Sequence, residues 1–244
     1  QDYRGGGNFS GRMTAPLCFA GAVCIQILER RGIFIGSHID SIFNVNDTRF
    51  DPINISKEDL ISITQKDFPT LSDTASDKMK KAILSEKENG DSVGGVIESV
   101  ALGLPVGIGE PIFDGIESKI SSLLFAIPAV KGVEFGSGFE VARLLGSQNN
   151  DSFYIDESGN IKTKTNNHGG SLGGISSGMP LIVRTAFKPT PSISKQQDSI
   201  SLKNKENTTL NIVGRHDPCI VQRALPCIES ALAIAILDLY ELNY

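Results

Sequence analysis

The sequence predicts an α+β fold in which a helical layer is sandwiched between antiparallel β-sheets. Three observations point there. Apolar runs at 14–31 and 218–240 have helical length and helix end signals, with a shorter third at 114–127. Between them lie segments rich in Ile, Val and Phe, of strand length. Those segments meet at glycine-rich turns and do not alternate strictly with helices, so the strands pair as hairpins. No strong repeat and no clear linker interrupts the chain, and one domain over 1–244 is the economical reading.

In chain order, Thr14 reads as an N-cap, Pro16 fits the first helical turn and Gly32 stops the helix. APLCFAGAVCIQIL between them is apolar nearly all round, which predicts a helix buried inside a layer. Residues 33–46 read as one strand, and His38 within it as structural. Residues 47–71 are mixed and turn-rich. A polar helix is predicted over 72–89, with Gly90 as its C-cap and Met79, Ile83 and Leu84 docking it. Residues 91–109 are β-like, and the glycines inside suggest bulges or close backbone approach. Pro128 ends the helix at 114–127. A short strand follows at 131–139, then a hairpin at 151–164 turning at Ser158-Gly159-Asn160. Residues 179–187 read as a buried strand, 193–209 as a polar surface loop and 210–213 as a short strand. Asp217 before Pro218 fits an N-cap followed by an N1 proline, and Pro226 should kink the last helix.

The 244 residues are 40% hydrophobic and 21% charged, which suits a soluble globular protein. A net charge of −5 disfavours a general nucleic-acid binder but leaves room for a local cationic cluster that takes a small anion. Cys18, Cys24, Cys219 and Cys227 form no C-x-x-C pair and lie in apolar runs, so they read as reduced core residues of a cytoplasmic protein. The apolar runs at 15–28 and 224–239 read as too short or too broken for a membrane span.

Two stretches could bind a ligand. Residues 166–178 hold five glycines, and the apolar run after them ends on Lys188-Pro189-Thr190-Pro191-Ser192. Glycines let a backbone turn its N–H groups onto a ligand, and the end offers one cation and two hydroxyls. Residues 3–12, YRGGGNFSGR, set Ser10 between Arg4 and Arg12, an arrangement that can wrap an anion. The plain alternative is a loop followed by a strand for the first and a linker for the second.

Six segments together resemble chorismate synthase, particularly the archaeal type: YRGGGNFSGRMTAP, GDSVGGVIE, GLPVGIGEP, KGVEFGSGF, TNNHGGSLGGISSGMPLIVRTAFKPTPSI and GRHDPCIVQRALP. They run in the family's order from end to end of the chain. The resemblance implies a lyase that eliminates phosphate from 5-enolpyruvylshikimate 3-phosphate in a 1,4 sense to give chorismate, with reduced FMN required and no net redox change. It also implies a homotetramer, with no nucleic-acid or membrane partner.

By the same resemblance, Ser10 stands where the family has a flavin-site serine, with Asn8 and Phe9 beside it in place of the bacterial Arg-Ser. Ala129, Gly173, the run Lys188, Pro189, Thr190, Pro191 and Ser192, and Arg215 match other flavin-site positions. Asp217 matches the aspartate that works in proton transfer. Arg4, Arg12 and Arg184 are candidate cations for the substrate's phosphate and carboxylates. The family's two catalytic histidines lie in Ser-His-Gly and Arg-Pro-Gly-His-Ala-Asp motifs, which by the same resemblance fall upstream of residue 1 with roughly a hundred family residues. Gly36-Ser37-His38 imitates the first motif in the wrong place. This chain alone is therefore expected to be weakly active or inactive.

Overall fold

The computed structural model describes residues 6–214 and 216–243. In chain order its elements are α1 (Thr14–Arg30), β1 (Phe34–Ile42), β2 (Val45–Asn46), α2 (Lys57–Thr64), α3 (Asp73–Glu88), β3 (Gly95–Leu102), α4 (Ile116–Ala126) and β4 (Val130–Phe135). There follow α5 (Gly146–Asn149), β5 (Phe153–Ile155), β6 (Ile161–Thr163), β7 (Ser171–Leu172), β8 (Ile175–Ser176), β9 (Leu181–Phe187), β10 (Gln197–Ser201), β11 (Glu206–Leu210) and α6 (Val221–Asn243). Five strands form one antiparallel sheet in the order β2-β1-β3-β9-β4, and three two-stranded ribbons pair β5 with β6, β7 with β8 and β10 with β11. The α+β class and the antiparallel pairing agree with the sequence.

Period-two alternation gives the sheet two different faces. Ile39, Ile97, Val183 and Phe187 join the main core with α4 and α6. Ile228, Leu232, Ile236 and Leu239 line one face of α6 at no more than 1% exposure, and burying each contributes roughly 1.5–3 kcal/mol. Val100 and Ile182 point the other way, into a smaller cluster with Phe50, Leu60 and Ile63. The crossing of α1 and α6 is close: a Cβ at Gly21 would overlap the side chain of Ser230.

Several expectations are corrected. Helix α1 is not enclosed. Only Gly21 and Leu28 of it are buried, and Phe19 is 77% exposed, because α6 covers one flank. Its cap also lies upstream of Thr14. The chain enters through 3-10 turns at Gly7–Phe9 and Gly11–Met13, where the Ser10 hydroxyl accepts from the Arg12 N–H at 3.2 Å. Those turns lengthen the apolar run. By length and composition Gly11–Arg30 could cross a membrane, with a mean hydropathy of 1.4, against the expectation for 15–28. The strand expected over 33–46 is a hairpin broken at Phe43, whose φ is 53°.

Residues 47–71 contain α2, whose start is a capping box: Ser56 Oγ accepts from Asp59 N–H, and the Asp59 carboxylate accepts from Ser56 N–H. The expected loop at 193–209 is the ribbon β10–β11, and Leu210 ends a strand instead of starting one. The last helix begins at Val221, so Asp217 and Pro218 lie before it.

Candidate functional site

A cavity of about 450 Å³ opens where four remote segments meet, a size that suits a small-molecule ligand. Ser10, Arg12 and Thr14 come from the entry turns and the start of α1. Pro128 and Ala129 come from the α4–β4 turn. Lys188, Thr190 and Pro191 follow β9, and Ile220, Arg223, Ala224 and Cys227 come from the start of α6.

Backbone pairing sets the second and third segments side by side. Val130 pairs with Phe187 in the β4–β9 ladder, and the Lys188 N–H donates to the Ala129 carbonyl at 3.0 Å. Ala129 holds a φ of 77°, a left-handed conformation that costs a non-glycine residue roughly 1–2 kcal/mol. Such strain persists where the surroundings over-determine it, and it gathers at functional sites. Residues 92 and 93 stitch the third segment to the fourth. The Ser92 hydroxyl donates to the Thr190 carbonyl at 2.6 Å, and the Val93 N–H donates to the Pro218 carbonyl at 2.8 Å. Gly94 permits this closeness, since a Cβ there would overlap the Phe187 carbonyl. The sequence predicts close approach in this stretch, but Ser92 itself was missed; its signal is a hydroxyl beside the glycine pair.

The polar groups differ in how fully they are engaged. Among the described residues, Thr190 Oγ1 is buried without a partner. The Lys188 ammonium donates to the neighbouring Pro189 carbonyl, at 3.4 Å. Asp217 accepts from Cys219 N–H at 3.3 Å and pairs with Arg223 Nη1 at 2.8 Å. Arg223 was also missed. With Ile220, Ala224 and Cys227 it forms an i, i+3, i+4, i+7 set, one helix face, and that spacing was available to find it. Cys227 Sγ lies 3.6 Å from Cys18 Sγ, and all four cysteines are free thiols. Burial pushes the Cys219 thiol up to about 11.

Of the residues expected at a site, Ser10, Arg12, Ala129, Lys188, Thr190 and Pro191 come together here. Asp217 reaches the cavity through Arg223. Pro189 and Ser192 belong to the same run but do not line it. Asn8 and Phe9 lie in the preceding turn, with Phe9 77% exposed. Gly173 sits in the β7–β8 turn at φ 63°, where an added Cβ would meet nothing within 4 Å. Its positive φ serves the turn, and it does not line this cavity. Arg4 and Arg215 lie outside the described residues.

Arg184 is elsewhere. It belongs to a buried row that crosses four strands, in which His38 faces Glu98, Glu98 faces Arg184 and Arg184 faces Glu134. His38 Nε2 is 2.9 Å from Glu98 Oε2, and Arg184 Nε donates to Glu134 Oε1 at 2.7 Å. His38 Nδ1 stands 3.4 Å from Asp47, an ion-pair distance without hydrogen-bond alignment. Burial pulls the His38 pKa down, but the carboxylates of Asp47 and Glu98 outweigh it and raise it to about 8. His38 is structural, as the sequence suggests, and Arg184 is occupied by carboxylates. His168 is also away from the cavity: its Nδ1 accepts from Gly170 N–H at 2.9 Å, and burial lowers its pKa against the pull of Asp151.

A strained turn, a buried hydroxyl and cations thus border one cavity of an α+β protein. The family model for chorismate synthase matches residues 1–240, and the chain belongs to that family. It is 44% identical to chorismate synthase of Korarchaeum cryptofilum over 248 residues, covering 97% of this chain and 64% of the relative. It is 46% identical to that of Methanococcus aeolicus, covering 98% and 66%. A solved structure described as the crystal structure of chorismate synthase superposes with a TM-score of 0.78 at 31% identity, over 96% of this chain and 65% of the other. The chain thus spans about two thirds or slightly less of the length of these relatives.

Proposed function

We propose that this chain carries the cofactor and phosphate wall of an enzyme that converts 5-enolpyruvylshikimate 3-phosphate to chorismate. The observation that carries the reading is the convergence of Ser10, Ala129, Lys188 and Thr190, from three separate segments, on one cavity. These are the positions the family resemblance marks for FMN. The residues fit that group: Thr190 Oγ1 is buried and unsatisfied, and Lys188 has an ammonium available for an anion. Ser10, Ala129, Lys188, Thr190 and Pro191 would hold the cofactor, with Pro189, Ser192, Asn8, Phe9, Gly173 and Arg215 as the family's further positions. The chemistry that reduced FMN would supply if held there is electron density for phosphate departure and a base for the proton.

The chain's own residues supply charge and order. The reaction breaks one C–H and one C–O bond and releases phosphate. Arg12 and Lys188 set fixed positive charge where negative charge grows on the leaving group. The Asp217 carboxylate, tied to the cavity-lining Arg223 through Oδ2, is the group to hold or pass a proton. Arg4 is a further substrate cation in this reading, and Arg184 is not, because its guanidinium is taken up in the sheet. Homotetrameric assembly in the cytoplasm accords with the family, and exposed Leu145, Ile155 and Ile161 offer apolar contact surface.

A second reading, flavin binding without turnover, rests on the histidines: His38, His168 and His216 all lie outside the cavity lining. Stopped-flow absorbance of the intact gene product with reduced FMN and 5-enolpyruvylshikimate 3-phosphate separates the two. Growth of the chorismate signal is expected. Flavin binding with no chorismate favours the second reading, and neither would sink both.

A further inference from the structure

We propose that Arg223 is a positioning residue of this site: it fixes the Asp217 carboxylate at the cavity edge and offers its remaining N–H groups to a phosphate monoester bound inside. The inference rests on the flavin-and-phosphate reading of the cavity and deepens it.

Arg223 touches both partners. Its Nη1 donates to Asp217 Oδ2 at 2.8 Å, and its side chain lines the cavity while remaining 79% exposed. A guanidinium has five N–H donors in a rigid fork. The bond to Asp217 uses one, and the exposed remainder borders the same space as Lys188 and Arg12. Asp217 sits on the loop before α6, whose place is held by Val93 N–H donating to Pro218. Its carboxylate is held by two contacts, the weaker being Cys219 N–H at 3.3 Å. Arg223 therefore decides where Oδ2 points.

The position is also a poor one for a purely structural cation. Arg223 is the third residue of α6, and that helix has no acidic residue in its first turn. The first turn carries the positive end of the helix dipole, which disfavours a cation there. An exposed ion pair offsets little of that cost. The positive end of the helix and the exposed guanidinium together make an anion-seeking corner, and Asp217 satisfies only part of it. A phosphate oxygen completes it. The phosphate can belong to the flavin or to the substrate, and the chemistry is the same for both.

The test uses the intact gene product with Arg223→Gln, Arg223→Lys and Asp217→Asn, alone and combined. Oxidised FMN and riboflavin are titrated by flavin fluorescence, and turnover is measured with 5-enolpyruvylshikimate 3-phosphate. The expected result is a loss of about tenfold or more in kcat/KM for Arg223→Gln, partial rescue by Arg223→Lys, and little further loss in kcat when Arg223→Gln is added to Asp217→Asn, with the loss of phosphate binding retained. If the FMN phosphate is the ligand, Arg223→Gln weakens FMN and spares riboflavin. If the substrate phosphate is, both flavins bind normally and KM rises. Additive losses in kcat in the double variant, or normal binding and turnover in Arg223→Gln, overturn the inference while leaving the function standing. A wild-type protein that binds no flavin and makes no chorismate overturns both. Urea unfolding of each variant keeps a simple loss of folding from imitating either result.

Discussion

The molecule carries two gatherings of charge that differ in one respect. In the sheet, His38, Glu98, Arg184 and Glu134 lie side by side, and the first three are almost wholly buried. Each charge answers the next one. At the cavity, Arg223 is exposed, Lys188 is half-buried and Arg12 borders the same space. Cations left partly open to solvent, even one that meets a single carboxylate as Arg223 does, keep some of their field for something that arrives. Buried, mutually paired ones hold strands in register and have nothing left for a ligand. The presence of an arginine in a family-matched strand therefore says little until its partners are known.

The sharpest contrast should come from Asp217→Asn. It removes a carboxylate from the cavity edge with little change in volume, so turnover should fall about 10²–10⁴-fold while FMN titration and urea stability stay near wild type. Normal turnover would remove Asp217 from the chemistry. The reverse pattern is expected of Arg184→Met. Deleting one partner strands Glu134 and Glu98 without their cation, and breaking a buried pair costs about 3–5 kcal/mol. Stability in urea should drop by that order, with flavin affinity of the folded protein unchanged. A stable variant that binds substrate poorly would restore Arg184 to the site and erase the distinction between the two regions.

A smaller effect comes from pH. The His38 pKa is raised from 6.5 to about 8 in the fold. Its stabilisation is therefore complete below the unfolded value of 6.5 and is lost as pH rises through about 8. The raised value corresponds to about 2 kcal/mol. Urea midpoints measured from pH 6 to pH 9 should fall across that window in the wild type, and His38→Gln should flatten the fall. An unchanged slope in the variant would mean that the row does not hold a protonated histidine.

What could be read in the sequence follows the range of the forces involved. Local signals transferred well: Ser72 and Gly90 bracket α3 as expected, and Ser158-Gly159-Asn160 turns its hairpin. The glycine-rich segments were legible because positive φ and close approach leave few other residues acceptable. The ribbon β10–β11 was not, since both its faces meet water and no apolar alternation marks it. The exposed flank of α1 was misread for the opposite reason: an apolar sequence does not say what covers it. At the site, the family positions converged where cavity-lining backbone carries them. Arg223 escaped notice because its partner is six residues away and its meaning depends on a helix face meeting three other segments. Strand order, and with it the fate of Arg184, is a long-range fact with no local sign.

Gly21 gives the cavity its gauge. The cavity takes Thr14 from α1 and Cys227 from α6, so its span follows the separation of those two helices. At their crossing, a single hydrogen atom at position 21 stands where any methyl would press on Ser230. One missing carbon, well away from every charged group discussed, thus calibrates how wide a ligand the two helices can embrace.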